Sequence, residues 1–373
     1  MPGLYIHIPF CLRKCPYCDF YSIPLRDGRI ADRYLNALGR ELRLLAAEFR
    51  PATVYVGGGT PTALEPEQLR RLFRMLHEHA GAADAEEVTC EANPGTMERE
   101  TLDALLESGV NRISVGVQSF CNAALKKLGR VHSAEQAWEA CRRARSAGFG
   151  NMSIDLIGAV PGVRRRDLRE TVDRVLDLRP EHISFYLLSF EEGTLFHRLR
   201  ERGAIAECEE EEQVRRFDYV RGKLRRTGYR HYEISNFAVP GFESRHNLLY
   251  WDGEAYAGCG AAAHSFLQGE RRANVRDLET YLRRLEEGAA PVAESDVIRP
   301  EARARELLVM GLRKIGGVER ETFRETTGYD YWSLCGPEIT DLARRNLLEV
   351  DRERIRLTGE ALLISDTVFA ELI

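Results

Sequence analysis

The chain has 373 residues, 44% of them hydrophobic, enough for one large core with material left for a second domain. Its formal net charge is −5 with both signs mixed along the chain, so no nucleic acid or other polyanion is implied as a partner. The opening MPGLYIHIPF lacks the basic start and apolar run of a signal peptide, and no stretch nears the roughly 20 apolar residues of a membrane span; the expectation is a cytoplasmic protein, not an integral membrane one.

Short β-rich runs are expected at Leu4–Ile8, Thr53–Val56, Glu87–Glu91, Arg112–Val117, Ser153–Ile157 and His182–Leu187. Helical periodicity fills the gaps at Ile30–Phe49, Pro66–His79, Glu98–Glu107, Ala134–Ala147 and Asp167–Asp177, with stops at Gly109 and Gly148 just before the next strand. Such β/α units, joined by right-handed crossovers, imply an α/β fold whose parallel sheet curls into an open, partial (β/α)6 barrel. Further helices are expected at Thr194–Arg202 and Glu209–Gly228, the second opening on the acidic run Glu209–Glu212 that suits a helix N-terminus. From Ser235 to Ser265 the chain is rich in glycine and aromatics and reads as irregular. From about Arg299 it reads as helix, helix, short helix, hairpin (Leu347–Leu357, turn at Asp351–Arg354) and helix. That is the order of a small, mostly helical, winged-helix-like domain. Its mixed charge gives no reason to infer DNA binding.

In a reducing compartment nine cysteines do not make a disulfide framework. Cys90, Cys121, Cys141, Cys208, Cys259 and Cys335 are scattered singly and read as small buried side chains. Cys11, Cys15 and Cys18 crowd into eight residues directly after the first strand. Three thiolates on one loop can hold three irons of a cubane and leave the fourth open. The alternative is a zinc site completed by a histidine. Further polar residues fall at the C-terminal ends of the strands, where barrels of this kind place their ligands. Gly57-Gly58-Gly59-Thr60-Pro61 follows strand two, Glu91 ends strand three, Gln118 follows strand four and Asp155 lies in strand five. Arg130 follows a short helix, Asn122–Leu128.

The C-x-x-x-C-x-x-C loop behind strand one of a β/α barrel resembles the radical SAM superfamily. The resemblance implies a [4Fe–4S] cluster on Cys11, Cys15 and Cys18 whose open iron chelates S-adenosylmethionine, with electron transfer cleaving it to a 5′-deoxyadenosyl radical. It also puts Tyr17 at the position that packs on adenine, and the glycine run at the methionyl amino group. The strings YIHIPFC, GGGTP, EANP, GVQSF, LGRVH and IDLI-G-PG are similar to the subgroup containing oxygen-independent coproporphyrinogen III oxidase. That likeness implies S-adenosylmethionine contacts from Tyr5, Gly58, Gly59, Thr60, Glu91, Gln118, Arg130 and Asp155.

Phe20 stands where the oxidase pattern has a fourth cysteine, and the oxidase carries an extension ahead of the strand that begins here at Leu4. Ser244-Arg-His246-Asn247-Leu-Leu-Tyr250-Trp251 instead carries the H-N-x-x-Y-W signature of the HemW branch of heme chaperones. This implies heme held by His246, Asn247, Tyr250 and Trp251, in keeping with imidazole as the commonest heme ligand. His264 ranks behind His246, and His7 is expected to orient the cluster loop or the methionine end of the cofactor. The expected function is a heme chaperone that binds heme and delivers it to hemoproteins, membrane-bound acceptors among them. The alternative is oxidative decarboxylation of coproporphyrinogen III to protoporphyrinogen IX. The expected domains are 1–235, a barrel with the cluster and S-adenosylmethionine site; 236–298, an irregular linker bearing the heme motif; and 299–373, the winged-helix-like unit.

Overall fold

The computed structural model describes residues 2–45 and 49–373. Strand β1 (Gly3–Ile8) puts Leu4, Ile6 and Ile8, all fully buried, on one face and Tyr5 and His7 on the other. It leads into β2 (Phe10–Cys11), which pairs with β3 (Ile23–Pro24) and pins both ends of the cysteine loop. Then come α1 (Gly28–Leu42), β4 (Thr53–Gly58), α2 (Pro66–Ala80), β5 (Glu87–Ala92), α3 (Arg99–Glu107) and β6 (Arg112–Gln118). They are followed by α4 (Asn122–Lys127), α5 (Ala134–Ala147), β7 (Met152–Gly158), α6 (Arg165–Leu178) and β8 (His182–Leu187). Strands β1, β4, β5, β6, β7 and β8 lie side by side in chain order, every pair parallel.

The six expected strands are therefore all present, differing only at their ends. The helices form for the local reasons their sequences carry. Along α1, Ala31, Tyr34, Leu35, Leu38 and Leu42 recur at helical spacing and are all buried, and Asp27 caps its N-terminus through the Arg29 amide. Trimming Leu38 to alanine would cost about 3 kcal/mol. Helix α5 opens on a reciprocal cap between Ser133 and Gln136. The helix expected over Ile30–Phe49 ends at Leu42, and residues 46–48 of that span lie outside the described residues.

Residues 236–298 are not an irregular linker, and here the sequence reading needs correction. After α7 (Leu195–Glu201), α8 (Glu210–Arg226) and β9 (Arg230–Glu233), the chain forms β10 (Asn236–Ala238), α9 (Arg245–Trp251) and β11 (Tyr256–Cys259). It continues through β12 (His264–Leu267), β13 (Glu270–Asn274), α10 (Leu278–Glu286) and β14 (Val292–Val297). Strand β10 joins β8 on one side, with β9 beyond it. Strand β11 pairs in parallel with β1 on the other, followed by β12, β13 and β14. The result is one open sheet of twelve strands, not a closed barrel. The extension is fastened through buried Glu41 of α1, whose carboxylate accepts from Gly260 N at 2.8 Å, Tyr281 Oη at 2.6 Å and Asn274 Nδ2 at 2.5 Å. Three donors offset the cost of burying that acid.

The C-terminal unit comprises α11 (Pro300–Leu312), β15 (Val318–Glu319), α12 (Arg320–Thr327), α13 (Tyr331–Arg344), β16 (Leu348–Val350), β17 (Arg354–Leu357) and α14 (Ser365–Leu372). Its strands form a separate sheet in the order β15-β17-β16. Backbone bonds from Ile315 N to Tyr232 O and from Ile234 N to Arg313 O tie it to the larger unit.

Candidate functional site

The inward face of the parallel strands surrounds a cavity of about 410 Å³. Strand β6 marks its depth, because the alternate residues Arg112, Ser114, Gly116 and Gln118 all line it. At about 3.3 Å per residue that column runs roughly 20 Å from floor to mouth. Gln118 ends it with φ of 66°, a left-handed conformation rare away from glycine, on the cavity rim.

At the mouth stand Cys11, Cys15 and Cys18, none in a disulfide. Burial raises the Cys11 thiol and pushes Cys18 up to about 11. Thr60 Oγ1 donates to Cys11 Sγ at 3.5 Å, and Arg130 Nη1 donates to Cys15 Sγ at 3.4 Å. Arg130 Nη2 also donates to Gly116 O at 2.7 Å and to Asn93 Oδ1, locking the guanidinium beside the cysteine loop. His7 anchors the loop from behind. Its Nε2–H donates to Tyr21 O at 2.8 Å while Nδ1 accepts from the Tyr5 hydroxyl at 3.0 Å.

The glycines at the end of β4 are demanded by crowding. A Cβ on Gly58 (φ 104°) would come within 2.4 Å of the His7 ring, and one on Gly59 within 2.5 Å of Phe10 O. Beside them, Glu91 Oε1 accepts from Tyr55 Oη at 2.8 Å and Oε2 from Gly58 N at 3.1 Å. Burial pushes the Glu91 acid up to about 7 and raises Asp155 as well. Asp155 accepts from Ser114 Oγ at 3.1 Å. Gly58, Gly59, Thr60, Glu91, Gln118, Arg130, Asp155 and Tyr17 thus share one cavity lining with the three cysteines. Tyr5 does not, since its hydroxyl is turned to His7 beneath the glycine turn.

The H-N-x-x-Y-W segment lies at the opposite end. It forms α9, and His246 is 1% exposed against the first residues of β1, β4 and β5. Its Nδ1 is bonded to Thr53 Oγ1 at 2.7 Å and its Nε2 to Tyr250 Oη at 2.9 Å. Both carboxylate oxygens of Glu87 accept from the helix start, at His246 N and Arg245 N, 3.0 Å each. Burial, then the charge of Arg112, holds the imidazole down to about 3, hence neutral. The four motif residues do not surround one space. Asn247 lines the lumen, while Trp251 lines a separate cavity of about 760 Å³ facing the C-terminal unit, under the guanidinium of Arg313 at 4.4 Å. In this arrangement His246 offers no free nitrogen, and the motif, expected within an irregular linker, lies on a helix instead. His264 is exposed at the start of β12, outside both linings.

Residues 5–175 match the model of the radical SAM superfamily, and residues 298–364 that of the HemN C-terminal domain. The heme chaperone HemW of Lactococcus lactis is 38% identical over 99% of this chain and 96% of its own length. Its Bacillus subtilis counterpart is 37% identical over 99% and 98%. The chain belongs to the HemW family of radical SAM proteins. Membership in that superfamily implies a [4Fe–4S] cluster and S-adenosylmethionine. Among solved structures, coproporphyrinogen III oxidase (HemN) from Escherichia coli, described as a radical SAM enzyme, superposes with a TM-score of 0.87. It is 25% identical and covers 100% of this chain and 90% of its own.

The residues of this HemW-family chain suit the implied groups: three free thiols, an adjacent cation, and a glycine turn whose crowding leaves no room for side chains. Among the described residues, no three His, Cys, Asp or Glu groups gather tightly enough to hold a single ion. The lumen also contains Tyr55, Asn93, Arg112, Ser114, His182 and Tyr186, which the sequence reading did not single out. A signal for two of them was available. Arg112-Ile-Ser114-Val-Gly116-Val-Gln118 alternates polar or small with apolar residues, the period of a strand with one wet face.

Proposed function

We propose that this protein is a heme chaperone, carrying heme in the cytoplasm and handing it to hemoproteins, some of them at membranes. What supports the reading is its likeness, over nearly the whole length of each chain, to proteins named heme chaperone HemW, together with the intact H-N-x-x-Y-W segment. No described helix is long and apolar enough to cross a membrane.

In this reading Cys11, Cys15 and Cys18 hold the cluster, and Tyr17, Gly58, Gly59, Thr60, Glu91, Gln118, Arg130 and Asp155 surround S-adenosylmethionine. When bound, the cluster supplies an electron at an open iron. The protein's own part is to hold Arg130 against Cys15, keep the glycine turn free of side chains beside the cysteine loop, and hold Glu91 and Asp155 in the lumen. His246 serves as heme ligand only when α9 releases one of its ring nitrogens from Thr53 or Tyr250. Asn247 and Trp251 would then meet the macrocycle from different sides, Asn247 from the lumen and Trp251 from the cavity facing the C-terminal unit, with Tyr250 between them on α9.

The likeness to HemN keeps oxidation of coproporphyrinogen III as the second reading, and Phe20 in place of the expected fourth cysteine weighs against it. The deciding experiment is anaerobic purification followed by heme titration in parallel with a coproporphyrinogen assay. Stoichiometric heme uptake and no turnover, with iron and sulfide intact, is the expected result. Turnover to protoporphyrinogen without heme uptake would reverse the assignment.

A further inference from the structure

The floor of the lumen holds a cation without a hydrogen-bond partner. Arg112, the first residue of β6, is 2% exposed, and its Nε makes no hydrogen bond. No hydrogen bond or ion pair links its guanidinium to any described residue. It carries five N–H donors, and it lines the same cavity as Glu91, Asp155, His182 and Asn247. Buried charges in proteins are paired or ligated, because a desolvated ion with no counter-charge is strongly disfavoured. The charges of Glu91 and Asp155 face it across the cavity, but neither carboxylate bonds to it directly. Asp155 is engaged by Ser114 and Ser153, and Glu91 by Tyr55 and Gly58. His182 is spoken for by Ser153 at 2.8 Å and Tyr232 at 2.8 Å, so it adds no free donor. Asn247, from the H-N-x-x-Y-W helix, brings a side-chain amide to the same lining.

We propose that Arg112, with Asn247 in the same lining, forms a carboxylate-binding subsite on the lumen floor. A planar guanidinium matches a carboxylate through two parallel N–H bonds, which lysine cannot reproduce. The column along β6 sets this subsite roughly 20 Å from Gln118 at the rim. A methionyl carboxylate held at the cysteine loop therefore leaves the floor for another. The propionates of heme supply one. That source rests on the chaperone reading, whereas a methionyl carboxylate entering with the opposite orientation would present the same chemistry without it.

The test uses full-length protein, reconstituted anaerobically and matched for iron content, as wild type and as Arg112→Gln, Arg112→Lys and Asn247→Ala. Affinities are measured for heme, for iron protoporphyrin IX dimethyl ester, whose propionates are capped, and for S-adenosylmethionine. With a propionate on Arg112, wild type prefers heme to the ester by about tenfold, Arg112→Gln erases the preference and Arg112→Lys keeps part of it. With a methionyl carboxylate there, Arg112→Gln weakens S-adenosylmethionine by about tenfold and leaves the heme-to-ester ratio unchanged. An unchanged ratio together with unchanged S-adenosylmethionine affinity overturns the subsite. Should Arg112→Gln fail to fold, Asn247→Ala decides: a shift of about threefold in the heme-to-ester ratio or in S-adenosylmethionine affinity supports the subsite, and neither shifting overturns it. Absence of heme uptake by wild type would defeat the chaperone reading, and the S-adenosylmethionine arm would still decide the subsite.

Discussion

The ring of His246 stacks on that of Tyr55 at 5.2 Å and 27°, and Tyr55 donates its hydroxyl proton to a hydrogen bond with Glu91. Glu91 in turn accepts from the Gly58 amide in the glycine turn. One line of contact therefore joins the floor helix to the mouth of the cavity. Replacing His246 removes two hydrogen bonds and one stacking partner, and the buried Thr53 and Tyr250 hydroxyls lose their shared acceptor and donor.

That contact has a pH signature. His246 is held down to about 3 in the folded protein and titrates near 6.5 when unfolded. Below 6.5 the unfolded chain takes up the proton and the folded one does not, so acidification works against the fold. The urea stability of wild type, relative to His246→Gln, should fall by about 1.4 kcal/mol per pH unit from pH 6.5 to 4.5. Taking the difference cancels Glu91 and Glu233, whose raised acids act in the opposite sense. A difference independent of pH would show that His246 is protonated or exposed in the folded state.

Gly58→Ala should destabilise the protein by about 2–4 kcal/mol, since the new methyl meets the His7 ring and the backbone sits at positive φ. Gly28→Ala, at the first residue of α1 with nothing within 4 Å, should be neutral or slightly stabilising. Denaturant midpoints test both. Equal effects at the two positions would contradict the crowding described here.

Glu87→Gln should loosen α9 selectively. The carboxylate accepts from two amides at the helix start, and its replacement should cost about 1–2 kcal/mol. Amide exchange over residues 245–251 should accelerate by roughly tenfold, while β5 itself stays protected. Unaltered exchange in that segment would mean that packing alone holds the helix.

Arg130→Gln should lower the reduction potential of the reconstituted cluster, because it removes a positive charge and a hydrogen bond from Cys15 Sγ. Redox titration followed by electron paramagnetic resonance measures the shift. A potential that stays the same or rises would place Arg130 outside the cluster's influence.

The parallel strands were legible because short β-rich runs alternate with helical periodicity, with glycine stops at Gly109 and Gly148 before two of them, and the cysteine spacing was legible because its residues are close in sequence. The edge strands were not. Strand β13 reads Glu-Arg-Arg-Ala-Asn and β14 reads Val-Ala-Glu-Ser-Asp-Val, with little burial and no apolar alternation to announce them. The site split along the same line. Residues at the C-terminal strand ends announced themselves by position, whereas Tyr55 faces the lumen from within β4, and Arg112 and His182 face it from the opposite, N-terminal ends of β6 and β8. The motif around His246 was visible as a string, yet its burial depends on Thr53 and Glu87, far away in sequence.

The segment between β10 and β11 also links the two flanks of the parallel array. Those strands lie on opposite flanks of the parallel array, so the chain joining them must pass beneath it, and α9 is the part that crosses. It behaves as a tie rod across an open hoop. Lengthening that rod by a residue would let the sheet splay and shortening it would draw the sheet tighter, so loop length here governs curvature.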